Sequence, residues 1–161
     1  MSDGFVGLGS NLDGPEERVR RALNELDALP RTRLQRASRL YRSPPMGPRD
    51  QPDYVNAVAW LETELSPLEL LDCLQELERR QGRRRTRHWG ERTLDLDLLS
   101  VDHVTMATDR LQLPHPGLAD RSFVLQPWCE IAPDYEVPGL GAVNDLARLC
   151  PGPLATPLEF R

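Results

Sequence analysis

Residues 94 to 98 read LDLDL, and this alternation constrains the fold more than any other stretch of the chain. Side chains of an extended strand point to opposite faces with a period of two. Leu94, Leu96 and Leu98 therefore share one face, and Asp95 and Asp97 share the other. The leucines can cover a core. The aspartates then stand side by side, about 7 Å apart at their α-carbons from the strand rise. Two carboxylates that close repel and favour a cation beside them. Mg²⁺, which takes one or two carboxylates plus substrate phosphates, or a nearby arginine would serve. The plain alternative is an exposed strand face with two solvated acids, and D-x-D alone does not separate the two.

The residues just before this strand sharpen the question. All 20 basic residues of the chain are arginine, and Arg79, Arg80, Arg83, Arg84, Arg85, Arg87 and Arg92 crowd into one short stretch. The absence of lysine excludes a Walker A loop and Schiff-base chemistry, since both need that residue. Any phosphate must be held by arginine forks, which suit bidentate contacts to its oxygens. The net charge of −5 argues against a general nucleic-acid binder. Cys73, Cys129 and Cys150 are odd in number and form no C-x-x-C pair, as expected of reduced thiols in a cytoplasmic protein. No apolar run is long enough to cross a membrane, and MSDGFVGLGS lacks the basic start and apolar run of a secretory signal.

The 161 residues suit a single domain spanning 1–161. FVGLGS (5–10) reads as a short buried strand. Gly14-Pro15-Glu16-Glu17 opens a helix whose buried stripe is Val19, Ala22, Leu23, Leu26 and Leu29, ended by Pro30. Residues 33–42 read as one long strand, 43–53 as a proline-rich loop, and 54–65 as another strand. Ser66-Pro67-Leu68-Glu69 is a capping box that starts a second helix with Leu70, Leu71, Leu74 and Leu77 buried, and Gly82 is its expected stop. After the aspartate strand come a turn near Asp102, a short strand near Val104, and a helix in 122–133 expected to break near Pro127. Short strands and a helix at 143–149 complete the chain. The order strand, helix, strand, strand, helix, strand predicts an α+β ferredoxin-like βαββαβ core, an antiparallel sheet with helices on one face plus C-terminal additions.

Four segments resemble one family closely: GLGSNL at 7–12, YRSPPMGPRDQPDYVNAV at 41–58, RHWGERTLDLDLL at 87–99 and LPHPGLADRSFVLQPWCEIAP at 113–133. They are similar to the 6-hydroxymethyl-7,8-dihydropterin pyrophosphokinases of folate biosynthesis. The resemblance implies transfer of the β,γ-diphosphate of ATP, the co-substrate, to the hydroxymethyl group of the pterin, leaving AMP. It implies that Asp95 and Asp97 bind a pair of Mg²⁺ ions and act with Arg83 and Arg92 in catalysis. By the same match Arg83, Arg85, Arg92, His115 and Arg121 contact the nucleotide. Gln75 and Glu78 lie near it, and Arg110 and Gln112 lie on its adenine side. Tyr54 and Phe123 sandwich the pterin, Asn56 meets its edge, Ser43, Pro44, Pro45 and Met46 add backbone contacts, and Trp89 closes over the site when the arginine loop moves.

Plainer readings stand beside these. Gln75 and Glu78 suit structural polar roles, His115 suits a turn between two prolines, and Arg79, Arg80, Arg84 and Arg87 suit a solvated helix end. Trp60 and Trp128 read as core. The chain departs from the family at His88, where arginine is common, and at Glu91, where proline is common; both bear on nucleotide affinity. The expected partners are the two small molecules alone, with no nucleic acid or membrane, and the expected state is a monomer. A ferredoxin-like RNA-binding module and a non-catalytic pterin or nucleotide regulator are the rival classes. The acidic strand and net charge count against the first, and the intact D-x-D against the second.

Overall fold

Alternation organises the sheet, and helix stripes organise what covers it. A computed structural model describes residues 1–12, 14–45, 50–81, 94–151 and 154–158. In chain order these form β1 (Ser2–Ser10), α1 (Pro15–Asp27), β2 (Thr32–Ala37), β3 (Tyr41–Ser43), β4 (Tyr54–Thr63), α2 (Pro67–Arg80) and β5 (Asp95–Val101). Then follow β6 (Met106–Ala107), β7 (Gln112–Leu113), α3 (Ser122–Ile131), β8 (Glu136–Val137), β9 (Gly141–Ala142), α4 (Val143–Leu149) and β10 (Thr156–Pro157). The main sheet runs β10-β3-β4-β1-β5, with β2 also paired to β4, and its pairings are antiparallel. Taking β2 and β3 as one interrupted strand, this is the ferredoxin-like order expected from the sequence.

The two faces of the sheet separate by the period of two. Val6 and Leu8 of β1, Val55, Ala57, Ala59 and Leu61 of β4, and Leu96 and Leu98 of β5 meet the stripes of α1 and α2 in one buried cluster. Phe5, Val58 and Leu99 point the other way and meet Val124, Leu125, Trp128 and Ile131 of α3. The C-terminal additions thus form a third layer on the second face. They cover only one end of it, and the other end carries the functional side chains.

The capping box of α2 is formed as expected. Glu69 N donates to Ser66 Oγ at 3.2 Å, and Ser66 N donates to Glu69 Oε1 at 2.9 Å. The Ser66 backbone N–H, and after it the Ser66 hydroxyl, lower the pKa of the Glu69 carboxyl from its ordinary value. Ser66→Ala removes the side-chain acceptor, and a loss of about 1 kcal/mol is expected from urea unfolding. The first helix has no such side-chain cap; it begins at Gly14, whose φ of 72° suits glycine.

The structure corrects four sequence expectations. The strand expected over 33–42 is split into β2 and β3. Ser38 N donates to Val58 O at 2.9 Å, but Val58 N donates to the Ser38 hydroxyl at 3.0 Å rather than to a backbone carbonyl. The side chain replaces one rung of the ladder, and the strand kinks there. Pro127 does not break α3, which runs unbroken from Ser122 to Ile131. Only the Pro127 donor is lost, and Leu125, Pro127 and Trp128 are buried around it, so packing holds the helix. The short strand expected near Val104 lies at Met106–Ala107, because Val104 N closes a turn onto Val101 O at 2.9 Å. Trp60 is half-buried rather than enclosed, with its indole N–H donated to Asp3 Oδ1 at 3.0 Å. Trp128 is fully buried, as expected.

Candidate active site

The functional end of the second sheet face is set by strand register. Gly9 of β1 pairs with Asn56 of β4 on one side and Asp95 of β5 on the other. One step along, Gly7 pairs with Val58 and Asp97. The central strand therefore places bare glycines between an amide on one neighbour and two carboxylates on the other. Leu94, Leu96 and Leu98 are buried on the opposite face, while Asp95 and Asp97 are partly exposed, as the alternation requires. The buried leucines fix the strand against the core, so the acids are borne on a rigid element. Gly7 and Gly9 escaped the sequence reading as site residues. Their signal was present in G-L-G, two glycines at alternate positions of a strand whose other face is apolar.

Asp97 draws in residues from the C-terminal half. His115 Nε2 lies 3.9 Å from Asp97 Oδ1, and Arg121 Nη1 lies 4.0 Å from Asp97 Oδ2. His115 is tied to β5 by its backbone N–H, donated to Leu99 O at 2.9 Å. Its Nδ1 lies 2.7 Å from Pro116 O. A carbonyl only accepts, so Nδ1 carries a proton and Nε2 is the ring atom turned to Asp97. The Arg121 guanidinium also lies over the Phe123 ring, 6.0 Å from its centroid. Both Arg121 and Phe123 are set by α3, which Trp128 anchors to Phe5 and Tyr135.

The opposite wall belongs to β3 and β4. Tyr54 and Asn56 share a face of β4, and Ser43 of β3 donates its hydroxyl to Asn56 Oδ1 at 2.5 Å. Pro44 and Pro45 follow directly. Asn11, buried just after β1, donates from Nδ2 to Gln51 Oε1 and Pro52 O, each at 2.9 Å. That clamp ties the end of the proline-rich loop to the central strand beside Tyr54, and neither Asn11 nor Gln51 was singled out from sequence.

Of the other expected nucleotide contacts, Glu78, Gln75 and Arg110 have partners within the protein. The Glu78 carboxylate is buried and accepts from Leu96 N at 2.8 Å, so it holds the start of β5 in place, the structural alternative its sequence reading left open. Gln75 and Arg110 do come together: the Arg110 guanidinium is 3.2 Å from Gln75 Oε1 and 2.6 Å from Asp72 Oδ1 on an exposed patch. Gln112 is exposed on β7. Met46, Arg83, Arg85, His88, Trp89, Glu91 and Arg92 lie outside the described residues, as does the expected helix stop at Gly82 and the expected closing of the arginine loop.

No cluster of three or more metal-ligating side chains occurs among the described residues. Two carboxylates on one strand face nevertheless suit Mg²⁺, which keeps waters and takes substrate phosphates as its remaining ligands. The donor set is therefore of the right kind for a metal-nucleotide complex and too sparse for a metal caged by protein alone.

A protein-family model described as 7,8-dihydro-6-hydroxymethylpterin-pyrophosphokinase (HPPK) matches residues 5–133. This chain belongs to the HPPK family. The 2-amino-4-hydroxy-6-hydroxymethyldihydropteridine pyrophosphokinase of Haemophilus influenzae is 48% identical over 148 residues, 92% of this chain and 92% of that protein. The protein of the same name from Pseudomonas aeruginosa is 47% identical over 147 residues, 91% of each. Among solved structures, Plasmodium falciparum HPPK-DHPS with SDX-DHP superposes with a TM-score of 0.68 at 12% identity. That match covers 92% of this chain and 43% of the larger one, and it supports the HPPK fold on structural grounds alone.

Proposed function

We propose that this HPPK transfers the β,γ-diphosphate of ATP to the hydroxymethyl group of 6-hydroxymethyl-7,8-dihydropterin, giving AMP and the pterin diphosphate in folate biosynthesis. The observation that carries the assignment of roles is the row Asn56–Gly9–Asp95 across three adjacent strands. It sets a group able to read a heterocycle edge about 10 Å from a carboxylate, judged from strand spacing, with no side chain between them. A flat ring lying over Gly9 would meet Asn56 with one edge and aim its substituent at Asp95 and Asp97.

In this reading Asp95 and Asp97 hold a pair of Mg²⁺ ions with the phosphates of ATP. When bound, the metal supplies neutralisation of the phosphate charge during transfer. The remaining work is positioning. Arg121 and His115, placed beside Asp97, take phosphate oxygens from the C-terminal side, and Arg83, Arg85 and Arg92 take them from the arginine stretch. Glu78 keeps Asp95 and Asp97 in register by holding the Leu96 backbone. Gln75, Arg110 and Gln112 receive the adenosine end. Tyr54 and Phe123 stack on the pterin, Asn56 and the backbone of Ser43, Pro44, Pro45 and Met46 meet its edge, and Trp89 covers it.

The chain acts as a single domain over residues 1–161 and as a cytoplasmic monomer, with no nucleic-acid or membrane partner. No described helix is long and apolar enough to cross a membrane.

The test is product identity. Wild-type chain mixed with ATP, Mg²⁺ and the reduced pterin is expected to give equal amounts of AMP and pterin diphosphate, followed by phosphorus-31 resonance. Formation of ADP, or AMP release that does not need the pterin, would contradict the assignment. Binding separates the two ends of the site. Tyr54→Ala and Phe123→Ala are expected to weaken pterin more than an ATP analogue, by about 1 kcal/mol beyond the lost contact area. Calorimetry giving equal losses for both ligands would place these rings in the core.

A further inference from the structure

Asn56 is an unusual buried amide. It is 5% exposed, its Oδ1 accepts from the Ser43 hydroxyl at 2.5 Å, and no described residue accepts from its Nδ2. Nδ2 is not among the buried side-chain atoms left without a partner, so this donor faces open space that a ligand can reach, although the residue as a whole is enclosed. The direction in which Nδ2 points is fixed by its neighbour. A β-carbon placed on Gly9 would stand 3.2 Å from Asn56 Nδ2, too close without movement. The nitrogen therefore leans over Gly9, into the open strip between Asn56 and Asp95. The companion glycine differs: a β-carbon on Gly7 would meet Leu99 Cδ2 at 3.4 Å, at the edge of ordinary contact.

Ser43 sets which end of the amide points there. Ser43 is itself 5% exposed, and Asn56 Oδ1 is the only acceptor its hydroxyl finds among the described residues. Turning the amide over would bring the NH₂ group to the serine. The hydroxyl would then become an acceptor, its own proton would lose its partner, and an oxygen would be presented over Gly9 instead.

We propose that Ser43 and Gly9 are positioning residues that hold the Asn56 amide with its N–H edge over the glycine floor, so that the site selects a pteridine whose facing edge carries an oxo oxygen over one carrying an amino group. The inference rests on the assignment of Asn56 to the pterin and goes further, because it says which end of the amide reads the substrate and what holds it so. Gly9 supplies the space and Ser43 supplies the direction. An oxo group accepts from Nδ2, whereas an amino group in its place sets donor against donor.

Calorimetry on the full chain, with Mg²⁺ and a non-hydrolysable ATP analogue present, tests this with two probes: 6-hydroxymethylpterin and the pteridine in which amino replaces oxo. Wild type is expected to favour the oxo compound. Ser43→Ala is expected to weaken the oxo compound about tenfold, the size of a lost hydrogen bond to a buried group, and to narrow the preference. Affinity for the ATP analogue should not change. Ser43→Thr keeps the hydroxyl and is expected to restore both affinity and preference. Gly9→Ala is expected to weaken the pterin about tenfold or more, and to add nothing further in an Asn56→Ala background, where the group it displaces is gone. Ser43→Ala indistinguishable from Ser43→Thr on both probes would overturn the inference. So would a Gly9→Ala loss that adds fully to that of Asn56→Ala. If Gly9→Ala fails to fold, the Ser43 pair decides alone. A wild-type chain that binds neither probe would instead overturn the functional reading, and the inference with it.

Discussion

Replacing Asp97 with alanine is expected to lower pyrophosphoryl transfer by about a thousandfold or more while leaving the fold in place, and Asp95→Ala is expected to do the same. The effect on transfer exceeds the effect on the fold for a physical reason. A metal ligand beside a triphosphate contributes several kcal/mol to charge neutralisation in the transition state, and each 1.4 kcal/mol is about tenfold in rate. The Asp97 side chain is 43% exposed, and its contacts to His115 and Arg121 are long, at 3.9 and 4.0 Å. Pairs of that kind contribute about 1 kcal/mol at most. Thermal unfolding should therefore shift little in a variant whose turnover nearly vanishes. Normal turnover in either variant would remove the metal assignment. A collapse of stability alongside activity would mean that the acids act on the fold instead.

Trp128→Ala should produce the reverse pattern, with stability falling first. The indole is fully buried between the sheet and α3, with its ring 5.3 Å from that of Phe5 and 5.8 Å from that of Tyr135. Truncating a buried tryptophan costs about 3–5 kcal/mol through lost contacts and the cavity left behind. α3 also carries Phe123 and follows directly on Arg121, so pterin affinity should fall as the helix loosens. Trp128→Phe offers a sharper comparison. The indole nitrogen has no hydrogen-bond partner among the described residues, so phenylalanine loses volume but also removes a buried donor that none of them satisfies. It should destabilise much less than alanine. Denaturant midpoints for the two variants check this, and equal losses would mean that the cavity alone governs the site.

Much of this architecture could be read from the chain because its signals are local and periodic. The capping box at Ser66, the stripe of α2 and the alternation of β5 each follow from spacing within a dozen residues or fewer. The break between β2 and β3 was hidden because it depends on Ser38 bonding to Val58, a partner on another strand. The continuity of α3 through Pro127 was hidden because burial on the sheet, not helix propensity, keeps it straight. At the site, Asp95 and Asp97 stood out by pattern, while the roles of His115, Arg121 and Phe123 came only through the family resemblance. The sheet explains why Gly9 went unseen: its importance lies in the register that sets it between Asn56 and Asp95. Glu78 was placed near the nucleotide only by the family resemblance, and its hold on the Leu96 backbone depends on a strand far along the chain.

Counting bound metal separates a metal-holding pair of aspartates from a solvated strand face. Mn²⁺ can stand in for Mg²⁺ and be followed by electron paramagnetic resonance, with a non-hydrolysable ATP analogue and the pterin present. Wild type is expected to bind a pair of ions per chain, with Asp95→Asn and Asp97→Asn each losing at least one while keeping wild-type unfolding midpoints. Wild-type metal binding in both variants would show that the alternating aspartates are only a solvated strand face.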